Sequence, residues 1–261
     1  MGEDYKNAKM LRAEKALQHT EMMEKKYHDE IVEAVKSTVF YYPEFEYLVR
    51  ERRKTDTKIL VLEADSVSAI MTVCNPDKKM CVLNFASYKH PGGMFIEGSN
   101  AQEEALCHES FLYNVLKEKD SYYEWNKKNL NKALYLNRAL YTPNVVFERF
   151  ESLVHCDVLT CAAPNNATYS RYNDDKELNV YYHRDRIRYL LSVAADNKVN
   201  TLILGAFGCG VFKQDPEQTA LFFDEFLSTE FKNVFDVVVF AIPDHKSKNY
   251  KAFDSVFRGE I

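Results

Sequence analysis

The chain has little positive charge to spare. Across 261 residues, 39 Asp and Glu face 34 Lys and Arg, a formal net charge of −5. That balance argues against a broad nucleic-acid-binding face and against a polybasic membrane patch. A phosphate-bearing small ligand is still compatible, because backbone amides hold phosphate without net cationic charge. Tryptophan occurs once, although Phe and Tyr number 17 each. No two cysteines form a CxxC pair: Cys74, Cys81, Cys107, Cys156, Cys161 and Cys209 are scattered, several inside apolar runs. A zinc site or disulfide framework is therefore not expected; reduced thiols in a cytoplasmic setting are. No metal-ligand spacing appears, and no metal or cofactor is expected. No run approaches the ~18 apolar residues of a membrane span. Met1 precedes a charged stretch, not the apolar core of a secretory signal. Internal repeats and low-complexity segments are also lacking.

What is present reads as an alternation of strands and helices. Residues 4–37 lack proline and are rich in Lys, Glu, Ala, Met and Leu, which favours helix. Tyr27, Ile31 and Val35 supply its apolar stripe. Pro43 breaks this region. Arg52-Arg53-Lys54, in the connector of residues 50–57, is weighted toward plain surface over phosphate contact. Residues 58–62 read as a buried strand, Asp65-Ser66 as the cap of a short helix, and residues 80–85 as the next strand. A helix is expected from Glu103 to about Lys117, then irregular chain with short turns over 118–144. Further strands are expected at 145–147, 157–163, 202–204 and 234–242. Helices are expected at 184–197, from Asp215-Pro216 to about Leu227, and at 249–257. Residues 168–182 read as a polar, Tyr-rich loop of a length that is often functional. Apolar strands alternating with helices indicate an α/β sheet covered on both faces. Residues 1–57 form a helical extension packed on a body of residues 58–261.

Two stretches carry candidate chemistry. The first runs from Asn84 and Ser87, at the end of a strand, through Pro91-Gly92-Gly93 to Gln102-Glu103-Glu104. Taken alone, the two glutamates favour a helix cap, with capping boxes Ser99 to Gln102 and Asn100 to Glu103. The second is Gly205-Ala206-Phe207-Gly208-Cys209-Gly210-Val211-Phe212, again between an apolar strand and a helix. Its bland reading is a tight turn; its functional reading is a backbone bare enough for a ligand to approach. Two such loops at the carboxyl ends of strands are expected to converge on one crevice. Cys209 is weighted toward backbone contact over thiol reactivity. His90 and His108 read as loop or surface residues. His183 and Arg184, where the long loop gives way to the expected helix, are weaker candidates to reach a ligand.

Together these motifs resemble the signature of the bacterial-type poly(ADP-ribose) glycohydrolases of the macrodomain superfamily: a glycine triplet, a short spacer and Gln-Glu-Glu, followed later by a diphosphate-binding loop. Weaker matches are Arg12 to Tyr27, Tyr141-Thr142-Pro143 and Ala162-Ala163-Pro164-Asn165, so the resemblance covers nearly the whole chain. It departs at the third glycine of the triplet, which is Met94 here and bears on substrate preference. The resemblance implies a macrodomain-like mixed sheet sandwiched between helices. It also implies exo-acting hydrolysis of the ribose–ribose O-glycosidic bond, with ADP-ribose or its polymer as ligand, ADP-ribosylated proteins as substrates, and a monomer. In this pattern Glu104 is the general acid and base and Glu103 holds a ribose hydroxyl. Gln102, Gly92 and Gly93 shape the loop. Asn84 and Ser87 contact the distal ribose, and Asp65 with Ser66 stands where adenine is contacted, although helix capping explains that pair equally well. Amides of Gly208, Cys209, Gly210 and Val211 cradle the diphosphate, and Phe212 packs on the ribose. Removal of ADP-ribose from a modified protein or nucleic acid, and ADP-ribose binding without catalysis, are the alternatives.

Overall fold

The structure is a computed structural model that describes residues 2–258. Two helices open the chain, α1 (Gly2–Lys26) and α2 (His28–Ser37), and a short strand, β1 (Val39–Tyr41), follows. An extended strap leads to β2 (Lys58–Leu62), α3 (Ser66–Val73) and β3 (Met80–Phe85). Next come α4 (Gln102–His108), α5 (Leu112–Leu116), α6 (Asp120–Lys128), and the long strands β4 (Ala139–Arg149) and β5 (Ser152–Cys161). Then follow α7 (Asn166–Tyr169), α8 (Lys176–Asp196), β6 (Thr201–Leu204), α9 (Pro216–Ser228), β7 (Val237–Ala241) and α10 (Lys248–Phe257).

Seven strands make one mixed sheet in the order β1-β4-β5-β3-β6-β7-β2. The run from β5 to β2 is parallel, while β1 and β4 add antiparallel pairs at one edge. The strands are apolar throughout because both faces are covered, and side chains alternate between two cores. Cys81, Leu83, Leu202, Leu204, Val238 and Phe240 face α8, α9 and α10. Met80, Val82, Ile203, Val239 and Ala241 face the opposite layer, built by α1 to α6. The α/β sandwich expected from the strand pattern is the observed fold.

Several boundaries differ from expectation. The first helical stretch is two helices, parted at Tyr27 (φ −127°), whose hydroxyl bonds Glu148 on β4. The expected 103–117 helix breaks after His108. Ser110 turns its hydroxyl onto Leu106 O at 2.6 Å, and its backbone bridges to Phe147, so β4 takes the chain that a continuing helix would need. The expected short strand at 145–147 is part of β4, which carries Pro143 through a register shift between Thr142 and Val145. The expected loop at 168–182 is wrong over most of its second half. Asp175 caps α8 by accepting from Leu178 N at 2.9 Å, and Asn179, His183 and Arg186 then form a buried polar face. Their polarity resembles a loop because each finds a partner inside the protein. β1 went unforeseen because its three residues carry no pattern.

The N-terminal helix docks by backbone contact. Gly98 adopts φ +77°, and a Cβ built there would lie 2.0 Å from Lys9 O on α1. Arg12 Nε donates to Gly98 O at 2.8 Å, closing the same joint. Gly98→Ala is therefore expected to destabilise the protein by roughly 2–4 kcal/mol, from the left-handed backbone plus the clash. Urea melts of wild type and variant measure this; a shift within error would show that α1 does not seat on Gly98.

Candidate active site

The site begins where the sheet parts. β3 pairs with β5 through Phe85, but its pairing with β6 ends at Val82. Backbone groups beyond Val82 on the β6 side need other partners. Gln102 supplies them: its Oε1 accepts from Phe85 N at 2.8 Å and its Nε2 donates to Leu83 O at 2.8 Å. The same Nε2 donates to Ser66 Oγ at 3.0 Å. One side-chain amide thus continues the ladder and fixes the start of α4 above the carboxyl end of β3.

That placement buries two adjacent carboxylates, Glu103 at 3% and Glu104 at 6% exposure. Glu103 Oε1 accepts from Asn84 Nδ2 at 3.1 Å and Oε2 from Ser87 N at 2.7 Å. Glu104 Oε1 accepts from Met94 N at 3.0 Å and Oε2 from Ala101 N at 3.0 Å. Both groups close on Gly93, where an added Cβ would lie 2.6 Å from Glu104 Oε1 and 3.0 Å from Glu103 Oε2. With φ +63° besides, position 93 accepts only glycine without rearrangement. The helix cap differs from both expected capping boxes. Ala101 is the capping residue and has no acceptor, and Glu104, three positions on, supplies the contact back to its amide.

Among the described residues no cation relieves Glu103. Burial raises its carboxyl to about 8, neighbouring Glu104 pushes the same way, and the Ser87 and Asn84 donors oppose. The pair therefore holds a proton near neutral pH. In that state Glu103 Oε1–H has a ready acceptor in Asn84 Oδ1, a fully buried atom that otherwise lacks a donor, once the Asn84 amide is turned over. Thr160 Oγ1, 3.3 Å from Asn84 Nδ2, joins either orientation.

The second glycine loop faces this corner. A cleft of about 170 Å³ lies between Gln102 and Phe85 on one side and Ala163, Phe207, Gly208 and Phe212 on the other. Gly210 and Val211 also line it, so the expected convergence of the two loops is observed. A Cβ on Gly210 would meet nothing within 4 Å, so no protein neighbour demands glycine there. Its bare backbone opens on the cleft. Behind Phe212, Tyr135 lies with ring centroids 6.2 Å away and stacks on Tyr88 at 4.1 Å. Tyr135 ends a left-handed turn in which Asn131, Lys132, Ala133 and Tyr135 have φ between 44° and 71°.

The remaining candidates fall in different places. The Cys209 side chain turns away from the cleft, its Sγ 3.4 Å from Thr219 Oγ1, and burial pushes the thiol up to about 12. Asp65 caps α3 through Val67 N and Ser68 N, both 2.9 Å away, and pairs with Arg149 at 3.0 Å. His183 and Arg184 both lie inside α8 and do not reach the cleft. His183 is fully buried in α8 against Thr219, lowered by burial to about 3, and Arg184 pairs with Glu225. A larger cavity, about 870 Å³, lies away from the glutamates under the strap, beside Arg52 and Arg53. Those arginines are engaged with the carbonyls of Glu230 and Val234 and with Asp236, in line with their reading as plain surface. Tyr88 and Tyr135, behind Phe212, were not foreseen; Ala163 falls in the Ala162-Ala163-Pro164-Asn165 stretch singled out as a weaker match, and Phe85, one residue past Asn84 on the strand, was within reach. Among the described residues no cluster of three His, Cys, Asp or Glu side chains is placed to hold a metal ion. No helix among them is long and apolar enough to cross a membrane.

The raised Glu103 has a thermodynamic signature. Its contribution to stability is greatest below its unfolded value of 4.5 and is lost as pH rises toward about 8, because the unfolded chain releases a proton that the folded chain retains. Glu103→Gln mimics the neutral form. Its advantage over wild type is expected to grow with pH across that window, by at most ~1.4 kcal/mol per pH unit. Urea melts at acid, neutral and alkaline pH measure the gap; a constant gap would mean that Glu103 is ionised at neutrality.

Comparison with known proteins follows the same lines. The family model "Microbial-type PARG, catalytic domain" matches residues 8–149. Poly(ADP-ribose) glycohydrolase from Thermomonospora curvata is 29% identical and superposes with a TM-score of 0.86, over 95% of this chain and 100% of that one. Bound to the inhibitor ADP-HPD, it superposes at 0.82 with the same identity and coverage. The Deinococcus radiodurans enzyme, solved with ADP-ribose, is 30% identical with a TM-score of 0.81, over 88% of this chain and 98% of that one. No curated protein matches. With more than half its length matched, both buried glutamates inside the match, the chain belongs to the microbial-type poly(ADP-ribose) glycohydrolase family.

Proposed function

We infer that this chain hydrolyses the ribose–ribose O-glycosidic bond of poly(ADP-ribose) and releases ADP-ribose. The observation that carries the reading is the cation-free, proton-holding pair of carboxylates beside a cleft with bare glycine backbone. A glycosidase needs a carboxylic acid to protonate the departing sugar oxygen and a carboxylate to activate water. We assign both proton transfers to Glu104, supplied by a pair that together holds a proton at neutral pH. Glu103, held by Asn84 and Ser87, orients a ribose hydroxyl, and the pair's one proton stands on Glu104 when the departing oxygen takes it; the Glu104 carboxylate then takes a proton from water. The amides of Gly208 to Val211 receive the diphosphate, whose negative charge favours the oxocarbenium-like centre forming nearby. Phe212, backed by Tyr135 and Tyr88, packs on the ribose.

Met94 bears on this assignment. It contributes to Glu104 through its amide alone, at an ordinary φ of −112°, so a side chain there leaves the carboxylate's support intact. Residues 1–57, by this reading, brace the 58–261 body and carry none of the chemistry.

Glu104→Gln tests the assignment. We expect turnover of the polymer to fall by roughly 10²–10⁴-fold, the usual worth of a general acid–base group. ADP-ribose binding, followed by calorimetry, should stay within a few-fold. The size of the product, single ADP-ribose units or oligomers, reports whether attack starts from chain ends. Wild type that binds ADP-ribose yet leaves polymer intact would make the chain a reader, and release of ADP-ribose only from modified protein would make it a mono-ADP-ribosyl hydrolase.

A further inference from the structure

The cleft runs from the β6 side, where the glycine loop lies, to the end of β3, where the glutamates lie. A polymer unit filling it leaves the next unit attached at the scissile oxygen. By strand order, the ground beyond β3 belongs to the loop that leaves β5 and the turn that leads into β4. These loops are joined into one rim. Asn165 N donates to Ala133 O at 2.8 Å, Ala167 N to Phe212 O at 3.0 Å, and Asn166 Nδ2 to Lys213 O at 3.0 Å.

Three exposed lysines border these loops, each next in sequence to a member of one small hydrophobic cluster: Lys89 after Tyr88 on the loop that leaves β3, Lys132 before Ala133 on the turn into β4, and Lys213 after Phe212 at the end of the glycine loop, where it also lines a separate hollow with Cys209 and Asp215. Lysines 26, 78, 79, 117 and 127 pair with carboxylates; among the described residues these three do not. Lys132 and Lys213 sit at φ +54° and +57°, a left-handed backbone that disfavours an ordinary side chain and suits glycine. The acidic residues on the same loops include Asp175 and Asp215, whose carboxylates cap α8 and α9. In a chain of net charge −5, this is a local cationic edge.

We propose that Lys89, Lys132 and Lys213 form an anion subsite for the diphosphate of the polymer unit adjoining the scissile bond. This rests on the polymer-cleaving reading above. The subsite favours polymer over a single ADP-ribose, which ends at the ribose inside the cleft and does not reach it.

The test compares wild type with the triple variant K89E/K132E/K213E. For the variant, KM on long poly(ADP-ribose) is expected to rise about tenfold or more, and its dependence on salt to become shallower as fewer counterions are displaced. Calorimetric affinity for free ADP-ribose should change less than twofold. The uncharged triple variant K89Q/K132Q/K213Q should show a smaller rise in the same direction. A control with the same change in net charge, K36E/K54E/K251E, should leave polymer KM unchanged. The proposal is overturned if polymer KM does not move, if ADP-ribose affinity falls in parallel, or if the control matches the variant. Wild type inert on polymer would instead remove the reading on which it rests.

Discussion

Two carboxylates buried side by side without a cation set the terms for the surrounding structure. Burying a charge in apolar surroundings costs far more than one hydrogen bond returns, so the pair must be partly neutralised and fully hydrogen-bonded. Both conditions are met. Glu103 is raised to about 8, and each of the four carboxylate oxygens accepts a donor. Three of those donors are backbone amides, from Ser87, Met94 and Ala101, so the loop between β3 and α4 must bend to bring them in. Gly93 is where that bend presses closest on the carboxylates. The N-terminal extension enters the same chain of dependence. Ser99 N bonds Met94 O at 3.1 Å and Gly98 seats α1, so the helix bears on the turn that presents Met94 N to Glu104.

The second constraint comes from the parallel sheet. Neighbouring parallel strands that part at their carboxyl ends expose unpaired backbone and open a crevice, which is why ligands collect there. Here the parting lies between β3 and β6, and the Gln102 amide fills part of it. Gln102 accordingly has a structural reason for its identity: a carboxylate in its place could not donate to Leu83 O, and a shorter amide would not span from α4 to the strand. Through this wedge the glutamates arrive at the edge of the cleft instead of on the outer face of α4.

How far the sequence disclosed this depended on how local the cause was. The sheet was legible because its strands are buried on both faces and read as unbroken apolar runs. The two glycine loops were legible because glycine has few reasons to cluster between a strand and a helix. The break at Ser110 was not, since the 103–117 segment keeps a helical pattern and only β4, distant in sequence, competes for its backbone. The start of α8 was missed for the opposite reason: Asn179, His183 and Arg186 look like solvent-facing residues, and the partners that let them be buried, Gln214, Thr219 and Asn137, lie far away in sequence. The distinction between the glutamates was only half legible. Their adjacency was visible, but that Glu103 lies against Asn84 and Glu104 against the Met94 amide follows from the turn at Gly93.

The aromatic wall shows what pattern-reading cannot reach. A left-handed turn made of Asn131, Lys132 and Ala133 and ending in Tyr135 is costly for side chains that carry a Cβ, and nothing in their order suggests it. It persists because bonds on all sides fix it: Ala133 N and Tyr135 N both reach Leu130 O, at 2.9 and 3.1 Å, and Ala133 O receives Asn165 N. Relaxing the turn to ordinary φ would swing the Tyr135 ring off Tyr88 and withdraw the support behind Phe212. A ring held only by its own rotamer preferences would move as ligand entered; one held by an over-determined backbone does not. The strain is thus tied to rigidity at Phe212, the residue that ends the glycine loop. On this account one loop combines open backbone at Gly208 and Gly210 with an aromatic end that does not yield.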